Sequence, residues 1–179
     1  SPFSNVVLLT EKKKVKRDSM LSAETFIKEL QLQPHPEGGF YRSTFQSDIS
    51  VHHEQVSTKD HSRKLYSSIY FLLRSEDISH LHRLKSDEIW YFHAGSPLTV
   101  HIIYPDGTYE GVKLGLNVEN GERPQVIVPK RCIFGSSVED PDTFSLVGCM
   151  VAPGFDFADF ELFTQQQLLS EYPQHEEII

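Results

Sequence analysis

The chain has 179 residues, 39% of them hydrophobic and 23% charged, with a formal net charge of −8 and a pI near 5.5. These values describe one globular domain and exclude a disordered chain. They also argue against a nucleic-acid surface, which needs clustered Lys and Arg to neutralise phosphates. No apolar run approaches the roughly 18 residues of a membrane span.

Residues 1–20 hold a basic run, Lys12, Lys13, Lys14, Lys16 and Arg17, read as a solvated leader or an extension ahead of Met20. Residues 21–165 are expected to form a single domain, and 166–179 a polar C-terminal tail. The first element is a short helix over 21–30, with Ser22 as N-cap and Phe26, Ile27 and Leu30 as one apolar stripe. Pro34 and Pro36 end it, and Gly38-Gly39 turn the chain. Strand character then dominates, over 40–46, 65–74, 78–84, 88–94, 98–104, 108–114, 125–128, 132–137 and 144–152, with a Pro105-Asp106-Gly107 hairpin turn. A second short helix is expected over 164–171. Many short strands without long helices between them mean an all-β sandwich or barrel. Cys132 and Cys149 sit in apolar strand contexts, which suit reduced, inert thiols in a cytoplasmic protein.

Three segments concentrate polar chemistry. In His80-x-His82 strand alternation puts both imidazoles on one face, and Glu88, Trp90 and Phe92 share a face of the following strand. Two imidazoles and a carboxylate in a small-barrel mouth suit a divalent metal such as Fe, Mn, Ni or Zn. They equally suit acid–base chemistry in which the carboxylate orients the imidazole and raises its pKa. The second segment is Pro34-His35-Pro36-Glu37-Gly38-Gly39-Phe40-Tyr41-Arg42, where Glu37 and Arg42 either line a ligand cleft or belong to a structural turn. The third is Val151 to Phe157, whose Phe155 and Asp156 either wall a pocket or seal the barrel end. His52, His53, His61 and His175 lie in polar stretches and are expected to be solvated, while His101 faces opposite to Val100 and Ile102.

These residues resemble the cupin superfamily, whose first motif runs Gly, five residues, His-x-His, three or four residues, Glu, six residues, Gly. Here five residues separate His82 from Glu88, Gly95 closes the motif, and Arg74 stands where the first Gly belongs. The second motif, Pro-x-Gly-x-x-His, is matched by Pro129 to Phe134, with Arg131 for the Gly and Phe134 for the metal-binding His. More narrowly, the chain is similar to the branch called cupin family five, a domain of unknown function. The similarity rests on Pro34-His-Pro-Glu-Gly-Gly39, Asp87-Glu-Ile-Trp90, Ala94-Gly-x-Pro97-Leu98, Gly121-Glu-Arg-Pro124-Gln125 and Ala152-Pro-Gly-Phe-Asp-Phe157. This resemblance implies a jelly-roll β-barrel, a homodimer, and kinship with dTDP-sugar 3,5-epimerases, which use a His base and a Tyr acid without metal. It implies no full metal site, since Phe134 replaces a ligand.

The favoured expectation is a small-molecule-binding cupin whose ligand is a nucleotide or nucleotide-sugar, with epimerase-like, metal-independent chemistry. His82 would be the base, Glu88 its orienting group, and Tyr70 or Tyr41 the acid. Glu37, Trp90, Gln125, Phe134, Phe155 and Asp156 would contact the ligand, with Arg42 or Arg83 on its phosphate. One alternative is a metal-dependent isomerase or dioxygenase using His80, His82 and Glu88. Another is a non-catalytic scaffold that acts through its dimer surface.

Overall fold

The computed structural model describes residues 20–52 and 62–179; the basic leader up to residue 19, His53 and His61 lie outside them. The strands, in chain order, are β1 (Gln33–Pro34), β2 (Phe40–Gln46), β3 (Ser50–His52), β4 (Ser62–Lys64), β5 (Ser67–Arg74), β6 (Ile78–Arg83) and β7 (Asp87–Gly95). They continue with β8 (Leu98–Ile103), β9 (Tyr109–Leu114), β10 (Gln125–Val128), β11 (Ile133–Ser137), β12 (Phe144–Ala152) and β13 (Glu161–Leu162). Six of them form one antiparallel sheet, β1-β2-β5-β12-β7-β10, and five form a second, β13-β6-β11-β8-β9. The two sheets enclose a core that includes Phe71, Trp90, Val100, Ile102, Phe134 and Val147. This is an all-β architecture, as the strand pattern predicts, and jelly-roll-like, as the family resemblance implies.

The expected strands at 40–46, 125–128 and 144–152 coincide with β2, β10 and β12. The two- and three-residue strands β1, β3, β4 and β13 have no counterpart in that pattern, because period-two patterning needs about four residues to register.

Helix α1 (Ala23–Glu29) is capped by the Ser22 hydroxyl, which accepts from the Thr25 amide at 3.2 Å. Its stripe of Phe26, Ile27 and Leu30 covers the outer face of the first sheet at Leu72, Phe144 and Leu146. Helix α2 (Gln165–Glu171) starts in a full capping box at Thr164 and seats Leu168 on Ile103 and Ile133 of the second sheet. The residues after it do not trail away: Tyr172, Ile178 and Ile179 pack into the same cluster, and His175 Nε2–H donates to the Gly107 carbonyl at 2.7 Å. Among the described residues no helix is long and apolar enough to cross a membrane.

Candidate functional site

A cavity of about 240 Å³ opens at one end of the barrel, where Glu37, His82 and Glu88 meet. Each arrives from a different element. Glu37 is delivered by the turn ahead of β2, which closes on itself through His35 N–H to Gly39 O (2.9 Å) and Gly38 N–H to His35 O (3.0 Å). The turn is pinned across β6 by His80 N–H donating to Glu37 O at 2.7 Å. So close a crossing requires Gly38: its φ is +108°, and a Cβ there would lie 1.9 Å from Ile78 O. The backbone thus aims the buried Glu37 carboxylate into the barrel.

His82 reaches the same spot because β6 carries a bulge. Phe134 of β11 pairs with His82 and Ser136 with Ser79, so Gly135 alone opposes His80 and Leu81. The missing side chain at Gly135 admits the bulge, since a Cβ would lie 2.5 Å from Ser79 O. Strand alternation is thereby reset. Ser79 and His82 are both buried, and His80 turns to solvent. The expected shared face of His80 and His82 is corrected on this point.

The His82 Nδ1–H donates to His80 O at 2.7 Å, and Nε2 lies 2.8 Å from Glu37 Oε2. With Nδ1 protonated by that geometry, the Nε2 contact to a carboxylate completes an imidazolium–carboxylate pair. Burial opposes both charges. The His82 charge and hydrogen bond nevertheless hold Glu37 below the usual carboxylate range, and Glu37 in turn raises His82. His35 is different: its Nδ1 accepts the Glu37 amide N–H at 3.1 Å, and burial lowers its pKa, so it stays neutral.

Glu88 and Trp90 share one face of β7, as alternation predicts, and the structure turns that face inward. Its Oε2 is buried with no hydrogen-bond partner. Burial first, then the Glu37 charge, push its pKa from an ordinary 4.5 to about 8. At neutral pH the site therefore holds one ionised carboxylate, one imidazolium and one neutral carboxylic acid. Cys149 lines the cavity beside them, and burial together with the Glu88 and Glu37 charges pushes its thiol well up.

Tyr41, Phe155 and Phe157 form the aromatic part of the mouth, and Ser43, Gln46 and Ser67 the polar part. The mouth segment is tied down from below. Phe155 N–H donates to Ser67 Oγ (2.8 Å), and Gly154 N–H to Lys64 O (2.7 Å). Beneath it a buried bidentate pair joins Arg63 Nε and Nη2 to Asp159 at 2.9 Å each.

Of the residues expected at the site from sequence, the structure brings Glu37, Tyr41, His82, Glu88 and Phe155 to the cavity. The others lie elsewhere. Tyr70 is on the outer face of β5, packed with Leu72 under α1, because Ile69 and Phe71 take the inner face. It therefore does not reach the cavity as an acid. Arg42 is exposed and hydrogen-bonded to Gln31. Arg83, next to the inward His82, points outward to Glu161 at 2.9 Å and over the Phe163 ring. Gln125 is exposed on the edge strand β10, and Asp156 caps the turn after β12 by accepting from Ala158 N–H. Trp90 and Phe134 are buried behind the cavity wall, with Phe134 packed on the His82 ring at 4.1 Å between centroids. The partner of His82 is Glu37, not the expected Glu88. His35, Cys149 and Phe157 are cavity residues beyond the expected set, and Arg63 and Asp159 support them. The signal for His35 and Phe157 was present in the same phrases that contain Glu37 and Phe155. Nothing in sequence pairs Arg63 with Asp159, which lies 96 residues away.

A metal on His80, His82 and Glu88 does not fit this arrangement. The bulge turns His80 outward, both His82 nitrogens are engaged by protein oxygens, and Phe134 fills the place of the fourth ligand. Among the described residues no group of three or more His, Cys, Asp and Glu side chains is arranged to hold a metal ion.

Comparison with known proteins supports the same architecture. A protein of known crystal structure from Shewanella oneidensis is 55% identical, with 89% of this chain and 95% of that one covered at a TM-score of 0.80. A hypothetical protein from Leishmania major is 46% identical over 89% and 97% of the two chains, at a TM-score of 0.82. A variant of Bacillus subtilis oxalate decarboxylase is 15% identical, covering 82% of this chain and 35% of that one at a TM-score of 0.52, a likeness of fold alone. Residues 24–163 match the family described as the cupin superfamily (DUF985), and the chain belongs to it.

Proposed function

We propose that this cupin binds a small organic molecule in its barrel mouth and moves protons on it, as an isomerase or epimerase does. The observation that carries the reading is Glu88, a buried acid whose Oε2 has no hydrogen-bond partner, set beside a Glu37–His82 ion pair. Two carboxyls whose environments drive their pKa values apart divide the roles of acid and base. Glu37 is held ionised and is the base, taking a proton from a ligand carbon. Glu88 is held neutral and is the acid, giving its proton to the ligand heteroatom that gains electron density. Glu37 then gives its proton to another carbon, or to the other face of the same carbon, while the heteroatom returns its proton to Glu88, which leaves an isomer and restores the enzyme. His82 is a positioning residue here, since it keeps Glu37 charged.

The nucleotide or nucleotide-sugar ligand is a narrower form of the same proposal. The aromatic rim supports it, because Tyr41, Phe155 and Phe157 offer ring faces for stacking. The lining weighs against it, because among the described residues no Lys or Arg faces the cavity to meet phosphate. We therefore place it second.

The test is solvent exchange. The protein and its Glu37→Gln variant are incubated in D2O with a panel of small keto and hydroxy compounds and nucleotide sugars, and ligand C–H signals are followed by NMR. Exchange that needs Glu37 is the expected result. Ligands that bind without exchange across the panel would overturn the chemistry.

A further inference from the structure

The Glu88 carboxyl lines the cavity, enclosed on the protein side by the Glu37–His82 pair, by Cys149 and Trp90 as neighbouring donors and by the strands of its own sheet, and its Oε2 makes no hydrogen bond of ordinary geometry. A buried polar oxygen without a partner is costly, and a group that faces a cavity is satisfied by whatever enters it. The cavity limits what that is. At about 240 Å³ it exceeds an engineered cavity of about 150 Å³ that holds benzene, so one ring with small substituents fits within it. Its walls are largely apolar, with Ile69, Leu84 and Val151 facing the aromatic rim.

Charge narrows the class further. No Lys or Arg among the described residues lines the cavity, and the His82 imidazolium is already paired with Glu37, so an anionic ligand would find no unpaired cation there. A cation would find Glu37 already paired with His82 at 2.8 Å and would have to ionise Glu88 to gain a partner. A neutral ligand with an acceptor oxygen completes the site without either cost.

We infer that the ligand is a neutral, one-ring-sized carbonyl compound whose oxygen accepts the hydrogen bond from the cavity-lining carboxyl of Glu88. This rests on the proton-transfer reading above and names its substrate class. Protonating that oxygen from Glu88 while Glu37 removes a proton from the adjacent carbon breaks the C–H bond, forms the carbon–carbon double bond and yields the enol. No oxidant or cofactor enters the balance.

Three probes of matched ring size separate the alternatives: cyclohexanone, cyclohexanecarboxylate and cyclohexylammonium, each titrated near neutral pH and followed by protein amide shifts in NMR. The expected order puts cyclohexanone first, at least about tenfold tighter than either ion, which corresponds to one direct hydrogen bond gained or lost. Glu88→Leu should lose that preference. Glu88→Gln, close in shape and still a donor, should keep cyclohexanone binding, which separates a loss of ligand contact from a loss of folding. The inference is overturned if an ion binds tighter than the ketone, if none of the three shifts cavity resonances, or if Glu88→Leu binds the ketone as the parent does. Ketone binding without α-deuterium exchange in D2O would leave the ligand class standing and remove the chemistry. A preference for the ammonium or carboxylate would remove the class and leave small-molecule binding standing.

Discussion

Leu84 lines two cavities of opposite character. On the barrel side lies the site of Glu37, His82 and Glu88. On the other side is an open groove of about 440 Å³ lined by Arg83, Lys85, Arg131, Tyr104, Glu161 and Tyr172. The inner cavity holds carboxyls and an imidazole but no Lys or Arg among the described residues, whereas the groove gathers three cationic residues. His82 and Arg83 are neighbours in sequence, yet one belongs to each. The difference shows how a single step along a strand separates two environments: the inner ion pair is nearly dry, and the outer Arg83–Glu161 pair is a third to a half exposed. A similar contact distance, 2.8 Å against 2.9 Å, therefore carries different energetic weight.

Breaking each pair measures that difference most directly. Glu37→Ala leaves an imidazolium buried without its carboxylate and should cost about 3 kcal/mol or more of folding stability, as uncompensated buried charges do. Glu161→Ala removes the outer carboxylate and should cost about 0–1 kcal/mol. Denaturant midpoints of the two variants give the comparison, and equal losses would mean the inner pair is as well solvated as the outer one.

The second effect is a pH dependence set by the inner site's buried groups. Glu88 has a folded pKa raised from 4.5 to about 8, so its proton is bound more tightly in the folded state. That contribution is complete below about 4.5 and is lost as pH rises to about 8, so it makes stability fall over this range. The raised His82 acts in the same direction. The lowered Glu37 acts oppositely, its contribution being present above its unfolded value and lost as pH falls. Glu88→Gln isolates the first contribution: its melting temperature should decline less than the parent's between about pH 5 and pH 8.5. Parallel curves would show that Glu88 is ionised in the folded protein at neutral pH.

The smallest effect lies in the groove. Arg131 holds φ at +69°, at a position where the cupin motif has Gly, with its N–H donating to Leu84 O at 3.0 Å. Arg131→Gly relieves the left-handed backbone and should gain up to about 1 kcal/mol, partly offset by glycine's greater freedom when unfolded. Ligand binding in the inner cavity should not change. A change there would show that Leu84 couples the two cavities.

Most of the fold was legible in sequence because burial in a sheet repeats every two residues and turns announce themselves by Gly, Pro and Asp. The site was legible in part. Glu37, Tyr41, Phe155, His82 and Glu88 stand in recognisable phrases, and all five reach the cavity. Tyr70 was misplaced because period-two alternation tells which residues share a face but not which face is inward; helix α1 covers the outer one and makes it apolar too. His80 was misplaced because a bulge depends on its partner strand: Gly135, 55 positions away, leaves the space that the bulge occupies.

The sequence by itself determined the strand order along the chain, the shared face of Glu88 and Trp90 on β7, the family and the residue types available for acid–base chemistry. Only the tertiary structure decided the pairing. It joined His82 to Glu37 through a glycine crossing that needs Ile78 and His80 in place, and it left Glu88 a neutral acid by burying it beside that pair. The physical reason is that a carboxyl's charge state depends on solvation and on neighbours distant in sequence, and neither exists until the barrel closes.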